Sequence, residues 1–493
     1  MQTRKLNAQA LDSLDRTVAV PTYDRSAMGS GIVHLGVGGF HRAHQAMYLD
    51  ALMNAGAAPE WGITGVGLLP GDRRMNEVMA EQDGLYALVE KAPDGAMQAR
   101  VIGSTSAHLL APDDPEAVLQ RLTAPETKIV TLTITEGGYP IDEVTNDFDP
   151  DAPGVREDAR PGSTPTTAVG YLVEALARRR AAGTAPFTVA SCDNIPGNGD
   201  AAARSVLGLA RVRDAELASW IEGNVAFPNS MVDRITPATT ADDRSTVAER
   251  FGIADEWPVV CEPFAQWVLE DRFPQGRPAL EEVGVHLVDD VIPYELMKLR
   301  MLNAGHQALC YLARLHGYGY ADESTQDDVF GGFVQSYMEQ EALPTLPPVP
   351  GVDLHEYART LVERFANPAI GDTLARLCTD SSDRIPKFLL PVIRQQLADD
   401  GPIHRSALVV AAWARYAEGT DEHGQPIEIA DRRRDQVTAN AAQQATDPLA
   451  FVRDRALFGD LADDERFTTE YLAALESLRE RGARETAKLW LER

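Results

Sequence analysis

The segment Tyr294-Glu295-Leu296-Met297-Lys298-Leu299-Arg300-Met301-Leu302-Asn303-Ala304-Gly305-His306 holds the most chemistry per residue in the chain. Between its polar residues it is apolar on nearly every side, the pattern of a buried helix. At about 100° per residue, Glu295, Lys298, Asn303 and His306 fall within an arc of roughly 140°. Burial lowers the pKa of a lysine, because desolvation disfavours the charged form. Lys298 can then act as general base and take a proton from an alcohol near neutral pH. The Asn303 amide can donate to the developing alkoxide, and His306 can hydrogen-bond a neighbouring hydroxyl. Glu295, one turn before Lys298, can pass the proton to water. Each residue alone also fits a structural role, with Lys298 paired to Glu295 and His306 a satisfied core histidine. Four together on an apolar helix favour catalysis.

Tyr294 and Lys298 also spell Tyr-x-x-x-Lys, the acid–base pair of short-chain dehydrogenases. Only those two residues match, and the pair falls far later in the chain than that fold allows. The Gly-rich turn upstream lacks the matching T-G-x-x-x-G-x-G form. That turn, Gly36-Val37-Gly38-Gly39-Phe40-His41-Arg42, follows a strand and opens a helix, the context a dinucleotide-binding turn requires. Gly36 permits the tight turn, and Gly38 lets the backbone approach a pyrophosphate at the helix N-terminus. The usual third glycine is absent, since His41 stands there. After the next strand, Asp72 is placed to accept hydrogen bonds from the adenosine ribose, which favours NAD over NADP. Arg73 and Arg74 could instead hold a 2′-phosphate, and Asp72 could simply cap a helix.

These residues need a scaffold. Strand patterns at residues 32–35, 63–69, 128–135 and 187–190 alternate with helical patterns at 42–54 and 166–182, which implies a mostly parallel sheet with helices on both faces. Residues 142–165, rich in Asp, Pro, Gly and Thr, read as a long surface loop. From about Asp289 the strand signals vanish. Helical patterns follow at 294–316, 329–342, 354–365, 386–398, 405–418 and 468–479. The fold expected is α/β, with a Rossmann-type dinucleotide-binding domain over 1–290 and an all-helical substrate and catalytic domain over 291–493.

The formal net charge of -28 disfavours nucleic acid or anionic lipid as partners. Any anionic substrate must meet a local cluster of Arg or Lys. The four cysteines, Cys192, Cys261, Cys310 and Cys378, form no Cys-x-x-Cys pair, match no zinc site and suit a reducing cytoplasm. The first residues carry no apolar run after their charges, so no signal peptide is expected, and no run of about 18 apolar residues suggests a membrane span.

The Gly36–Gln45 turn is joined in order by Thr133-Ile134-Thr135-Glu136-Gly137-Gly138-Tyr139, by Ser191-Cys192-Asp193-Asn194-Ile195-Pro196-Gly197-Asn198-Gly199 and by Asn229-Ser230-Met231-Val232-Asp233-Arg234-Ile235-Thr236-Pro237. Glu262-Pro263-Phe264-Ala265-Gln266-Trp267-Val268-Leu269-Glu270-Asp271 and the Lys298–His306 helix follow. Over nearly its whole length the chain thus resembles the polyol-specific long-chain dehydrogenase/reductase family. The resemblance implies metal-independent, NAD-dependent interconversion of a sugar alcohol and its ketose, with D-mannitol and D-fructose the leading pair. D-Arabinitol, D-sorbitol and hexuronates are the alternatives. It implies an active site between the domains, with Lys298 as base, Asn194 and Asn303 around the reacting oxygen, and Glu295 gating proton exit. His306 and Arg376 would bind substrate hydroxyls, and Asp233 would lie near substrate and nicotinamide. Gly36, Val37, Gly38, Gly39 and Phe40 would form the cofactor turn. Family members are often monomers, so a monomer is expected. Two positions depart from the family pattern. Gly197 stands where the family often has His or Glu, and Asp383-Arg384 replaces the more usual Ser/Lys character, which leaves the charge of the substrate pocket open.

Overall fold

The computed structural model describes residues 3–142 and 145–493. Met1 and Gln2 of the N-terminal reading, and Glu143 and Val144 of the 142–165 loop, lie outside the described residues. The chain divides into two compact units. One comprises Met1–Ala92 and Ala96–Ile292, the other Pro93–Gly95 and Pro293–Arg493.

The first unit is built on five parallel strands: Ile32–Leu35 (β1), Ile63–Gly67 (β2), Thr105–Leu110 (β3), Ile129–Leu132 (β4) and Thr188–Ser191 (β5), in the order β3-β2-β1-β4-β5. All four residues of β1 are buried, as expected for a strand covered on both faces. Alternation along the strands splits the core. Val33, Leu35, Val130, Leu132 and Val189 pack with the helix Ala168–Ala182 on one face. Ile32, Ile63, Ile129 and Ala190 pack with the helix Gln45–Asn54 on the other. A second sheet joins Ser230–Asp233 (β6), Gln266–Glu270 (β7) and His286–Val288 (β8), with β7 antiparallel to β6 and parallel to β8. A hairpin of Tyr86–Lys91 and Met97–Ile102, unannounced by the alternation pattern, pairs with Val259–Cys261.

Two elements differ from the sequence reading. The helix expected over 42–54 is two helices, Gly39–Ala43 (α1) and Gln45–Asn54 (α2), broken at His44 with φ -128° and ψ -90°. The cause is tertiary. His44 Nε2 reaches the Gln266 carbonyl at 2.8 Å, which ties α1 to β7. The loop expected over 142–165 contains a helical turn, Val155–Asp158. Its buried Asp158 carboxylate accepts from the backbone N–H and hydroxyl of both Thr166 and Thr167 at 2.6–3.0 Å, which fastens the loop to the helix Ala168–Ala182.

The second unit is helical. Its central element runs over residues 292–316, and its middle stretch, Lys298–Asn303, is a wide π turn in which Ala304 N–H reaches back five residues to Leu299 O. Two more wide turns, Met338–Ala342 and Ile385–Leu389, pack against this one. Tyr337 donates its hydroxyl to the Arg300 carbonyl at 3.1 Å, satisfying an acceptor within the widened ladder. The helix His404–Tyr416, which packs on Ala304–His316, has no capping side chain of its own. Glu341 supplies the cap from another element. Its fully buried carboxylate accepts from Arg405 N–H at 2.7 Å, Ser406 N–H at 2.8 Å and the Ser406 hydroxyl.

Burial raises the Glu341 carboxyl from 4.5 to about 7, against the pull of those donors and of Arg405. A carboxyl whose folded value exceeds its unfolded one binds more protons when folded, so stability falls as pH rises from about 4.5 to about 7. Denaturant melts of wild type and Glu341→Gln across that range should converge or cross as pH rises, with wild type losing up to about 3 kcal/mol relative to the variant. Parallel stability curves would contradict the assignment.

Candidate active site

The Gly-rich turn is fixed by its neighbours. Gly36 has φ +91°, and a Cβ there would lie 2.2 Å from the Thr133 carbonyl, so no side chain fits. Its N–H donates to Val66 O at 3.0 Å and its carbonyl accepts from the Thr133 hydroxyl at 2.7 Å, which joins β1, β2 and the end of β4. Gly38 faces open space, with no atom within 4 Å of a Cβ position, so its backbone is approachable by a pyrophosphate. Gly39 begins α1, and Phe40 stacks on His44 at 4.9 Å. Val37 packs so close to Gly65 that a Cβ there would lie 2.9 Å from Val37 Cγ2.

At the position of the missing third glycine, His41 stacks on His34 of β1, with ring centroids 3.4 Å apart and planes 13° apart. His34 is held by Thr131 and Thr133 hydroxyls at 2.8 and 2.9 Å. Burial pushes the His34 imidazole down to about 3 and that of His41 well below its usual value. Two neutral flat rings at contact distance thus give the helix the close approach to the strand that a glycine ordinarily gives. Asp72 Oδ2 accepts from Leu68 and Leu69 N–H, both at 2.9 Å, closing the turn after β2. Its other oxygen accepts no hydrogen bond from the described residues. The two arginines that could hold a phosphate are engaged: Arg73 grips Asp113 with two bonds of 2.5 and 2.6 Å, and Arg74 lies 3.6 Å from both Glu77 and Glu256.

The remaining motifs of the first unit bond to one another. Asp193 accepts from Ile134 and Thr135 N–H and from the Tyr139 hydroxyl, and that hydroxyl also meets Ser191 Oγ at 2.7 Å. The exposed Asn194 stands next to this anchored carboxylate. Asn198 donates to Asp193 O and Ser230 O and accepts from Ser230 N–H, coupling the Asn194 loop to β6, whose last residue is the buried Asp233. Arg234 then donates to Ala43 O, Glu262 O and Glu90, locking the end of β6 to α1. Gly197, one of the two departures, has φ +56° at the N-cap of the helix Asn198–Arg213, a turn-shaping position. Asp193, Tyr139 and Arg234 were not singled out in the sequence, although each lies inside a quoted motif.

In the second unit Lys298 and Asn303 are buried at the two ends of the wide turn, and Glu295 precedes them on the partly exposed side. In a straight helix Lys298 and His306, eight residues apart, would diverge by about 80°; absorbing one extra residue in the wide turn brings them within about 20°. Asn303 Nδ2 is buried and has no hydrogen-bond partner among the described residues. His306 stacks on Phe365 at 4.1 Å and 28°. Burial, then the charges of Arg376, Arg364, Arg384 and Lys298, push the His306 imidazole well below its usual value, so it is neutral near pH 7. Arg376 extends from the turn Leu374–Leu377, its fork bound by Asp372 at 2.5 and 2.7 Å. Arg384 donates to the Leu377 and Arg376 carbonyls at 2.9 and 3.4 Å, whereas Lys387 pairs with Asp383 at 2.6 Å. The structure therefore gathers Lys298, Asn303, His306 and Arg376 and adds Arg364 and Phe365, which no sequence pattern marked. Tyr294 is spoken for: its hydroxyl donates to Pro350 O at 2.8 Å. Among the described residues no group of three His, Cys, Asp or Glu side chains could hold a metal ion, all four cysteines are free and buried, and no helix is long and apolar enough to cross a membrane.

Comparison with known proteins agrees over the full length. Residues 30–282 match the family model of the mannitol dehydrogenase Rossmann domain, and residues 290–479 that of the mannitol dehydrogenase C-terminal domain. Mannitol 2-dehydrogenase of Aspergillus fumigatus is 44% identical over 497 residues, covering 99% of each chain. That of Pyrenophora tritici-repentis is 46% identical over 486 residues, covering 98% of this chain and 85% of its own. Among solved structures, Pseudomonas fluorescens mannitol 2-dehydrogenase in ternary complex with NAD and D-mannitol superposes with a TM-score of 0.91 at 45% identity, covering 99% of this chain and 100% of its own. A substrate-free D-sorbitol dehydrogenase gives 0.89 at 38% identity, covering 98% and 100%. With residues 30–282 and 290–479 each matched by a family model and a relative 44% identical over 99% of the chain, the chain belongs to the mannitol dehydrogenase family.

Proposed function

We propose that the protein is an NAD-dependent polyol dehydrogenase that interconverts D-mannitol and D-fructose, with Lys298 as general base. The observation that carries this reading is the buried Asn303 amide, whose Nδ2 lacks a partner on the same helix that buries Lys298. A buried donor left unpaired is costly, and an alkoxide oxygen would satisfy it. The relatives named for mannitol 2-dehydrogenase activity, one of them solved with NAD and D-mannitol, support the substrate and the cofactor.

In the oxidation, Lys298 Nζ takes the proton of the substrate's C2 hydroxyl while the Asn303 amide donates to the oxygen that becomes the alkoxide. Asn194 is assigned as a second amide donor to that oxygen, and Asp233 as a residue near substrate and nicotinamide. When bound, NAD supplies the hydride acceptor at C2. His306, neutral and held flat by Phe365, exchanges hydrogen bonds with a neighbouring hydroxyl. Arg376, preset by Asp372, donates to another. Glu295 lies at the exposed end of the helix, where it can pass the Lys298 proton to water. The reading needs no metal, since a lysine and amides supply the base and the electrophilic contact. Residues 1–290 would carry the cofactor and residues 291–493 the substrate chemistry, in a monomer of the reducing cytoplasm.

A second reading is hexuronate reduction, because among the described residues Arg384 donates only to carbonyls and so keeps an uncompensated charge for a carboxylate. Initial rates of NADH oxidation with D-fructose and D-fructuronate at matched concentrations separate the two. We expect fructose to be turned over clearly faster; faster turnover of fructuronate would overturn the substrate assignment and leave the family in place. The free oxygen of Asp72 is the proposed ribose contact, and its charge repels a 2′-phosphate. Asp72→Ala should therefore improve kcat/KM with NADPH relative to NADH by about tenfold or more, the loss of one close charge interaction. An unchanged preference would remove Asp72 from the cofactor site.

A further inference from the structure

A cavity of about 620 Å³ lies in the second unit, and none of its lining residues belongs to the active-site set described above. Its lining includes Arg434 and Ala441 of the helix Arg434–Gln443, together with Ile427, Ile429, Glu418 and Arg479. Glu418 is shared by two cations, Arg415 at 3.2 Å and Arg479 at 3.1 Å. The Arg434 guanidinium makes no ion pair or hydrogen bond among the described residues. The pocket is thus locally positive on a chain of net charge -28, and it combines one open planar fork with aliphatic walls. A guanidinium fork matches a carboxylate, and Ile and Ala side chains suit a short hydrocarbon chain.

The wall is also wired to the substrate arginines. Ile429 and Arg434 bracket residues 430–433, and this short segment is latched to residues 380–382 by hydrogen bonds. Asp380 N–H donates to Ala430 O at 2.9 Å, and Arg432 N–H donates to Asp380 Oδ1 at 3.0 Å. Ser382 donates its N–H and its hydroxyl to Asp431 at 2.8 and 2.6 Å. Asp380 sits at φ +50°, a left-handed conformation that a non-glycine residue keeps only when neighbours hold it there. It lies between Arg376 and Arg384, so any shift of 430–433 bears on both. We propose that the cavity is an effector site for a small organic carboxylate with a short apolar chain, coupled through residues 430–433 to Arg376 and Arg384. The coupling half rests on the proposed role of Arg376 in substrate binding; the binding half does not.

The test uses hexanoate as probe, with acetate (charge without chain) and hexanamide (chain without charge) as controls, at constant ionic strength. Thermal shift reads binding in the full-length protein, and the KM for D-fructose reads coupling. Hexanoate should raise Tm saturably where neither control does, and Arg434→Ala should weaken that effect by about tenfold or more, the loss of a charge-assisted bond. Hexanoate should also change the KM of wild type by about fivefold or more. Asp431→Ala and Asp431→Asn should keep the thermal shift and lose the change in KM. Absence of a hexanoate shift, or an equal shift in Arg434→Ala, overturns the site. Binding with an unchanged KM, or an unchanged effect in both Asp431 variants, overturns the coupling. If D-fructose is not a substrate, the thermal arm still decides the site, so failure of the catalytic reading is told apart from failure of this one.

Discussion

One extra residue in one helical turn sets the geometry on which the second unit depends. A straight helix would aim Lys298 and His306 at different neighbours. The wide turn at Lys298–Asn303 folds them onto nearly one line and leaves Asn303 buried with an unused donor. Such a turn is unfavourable by itself and persists only where surroundings hold it. Here the surroundings are specific: the Tyr337 hydroxyl on Arg300 O, the Arg300 guanidinium on Thr345 O at 2.7 Å, and two neighbouring wide turns packed against it. Phe365 and Met338 close over Gly305, 3.5 and 3.6 Å from where a Cβ would stand. The helices around the turn can be read as a clamp on it.

Charge is arranged with the same economy. An acidic chain concentrates Lys298, Arg364, Arg376 and Arg384 around one neutral imidazole. Burial first, and those neighbouring charges after it, keep His306 unprotonated, so it can both donate and accept. Arg376 is given its orientation by Asp372, while Arg384 is held by carbonyls that leave its charge intact. In the first unit the reverse holds: carboxylates such as Asp193 and Asp158 are buried and covered with donors, and they fix loops.

Much of this was legible in the sequence for physical reasons. Fully buried parallel strands are short apolar runs, so β1 reads residue for residue. A buried helix bearing polar residues is conspicuous, and so is a Gly-rich turn placed between a strand and a helix. What escaped the sequence depends on partners distant in the chain. The break at His44 is made by Gln266, the fastening of the 142–165 loop by Asp158 and Thr167, and the cap on His404–Tyr416 by Glu341. The wide turn left no trace because residues 299–302 are apolar or snorkelling whichever way the backbone winds. His41 showed only as a missing glycine; that it replaces the glycine by stacking on His34 requires the fold.

The central claim is that Lys298, not Tyr294, moves the proton. The measurement that tests it most directly is single-turnover reduction of ketose by NADH in Lys298→Ala and Tyr294→Phe, alongside NADH affinity for both. Transferred hydride should fall by at least about a thousandfold in Lys298→Ala, the scale of losing a general acid–base, with NADH bound as in wild type. Tyr294→Phe should stay within a few-fold of wild type, since its hydroxyl serves Pro350 O. Near-normal turnover in Lys298→Ala together with a dead Tyr294→Phe would contradict the account and make the tyrosine the acid–base group.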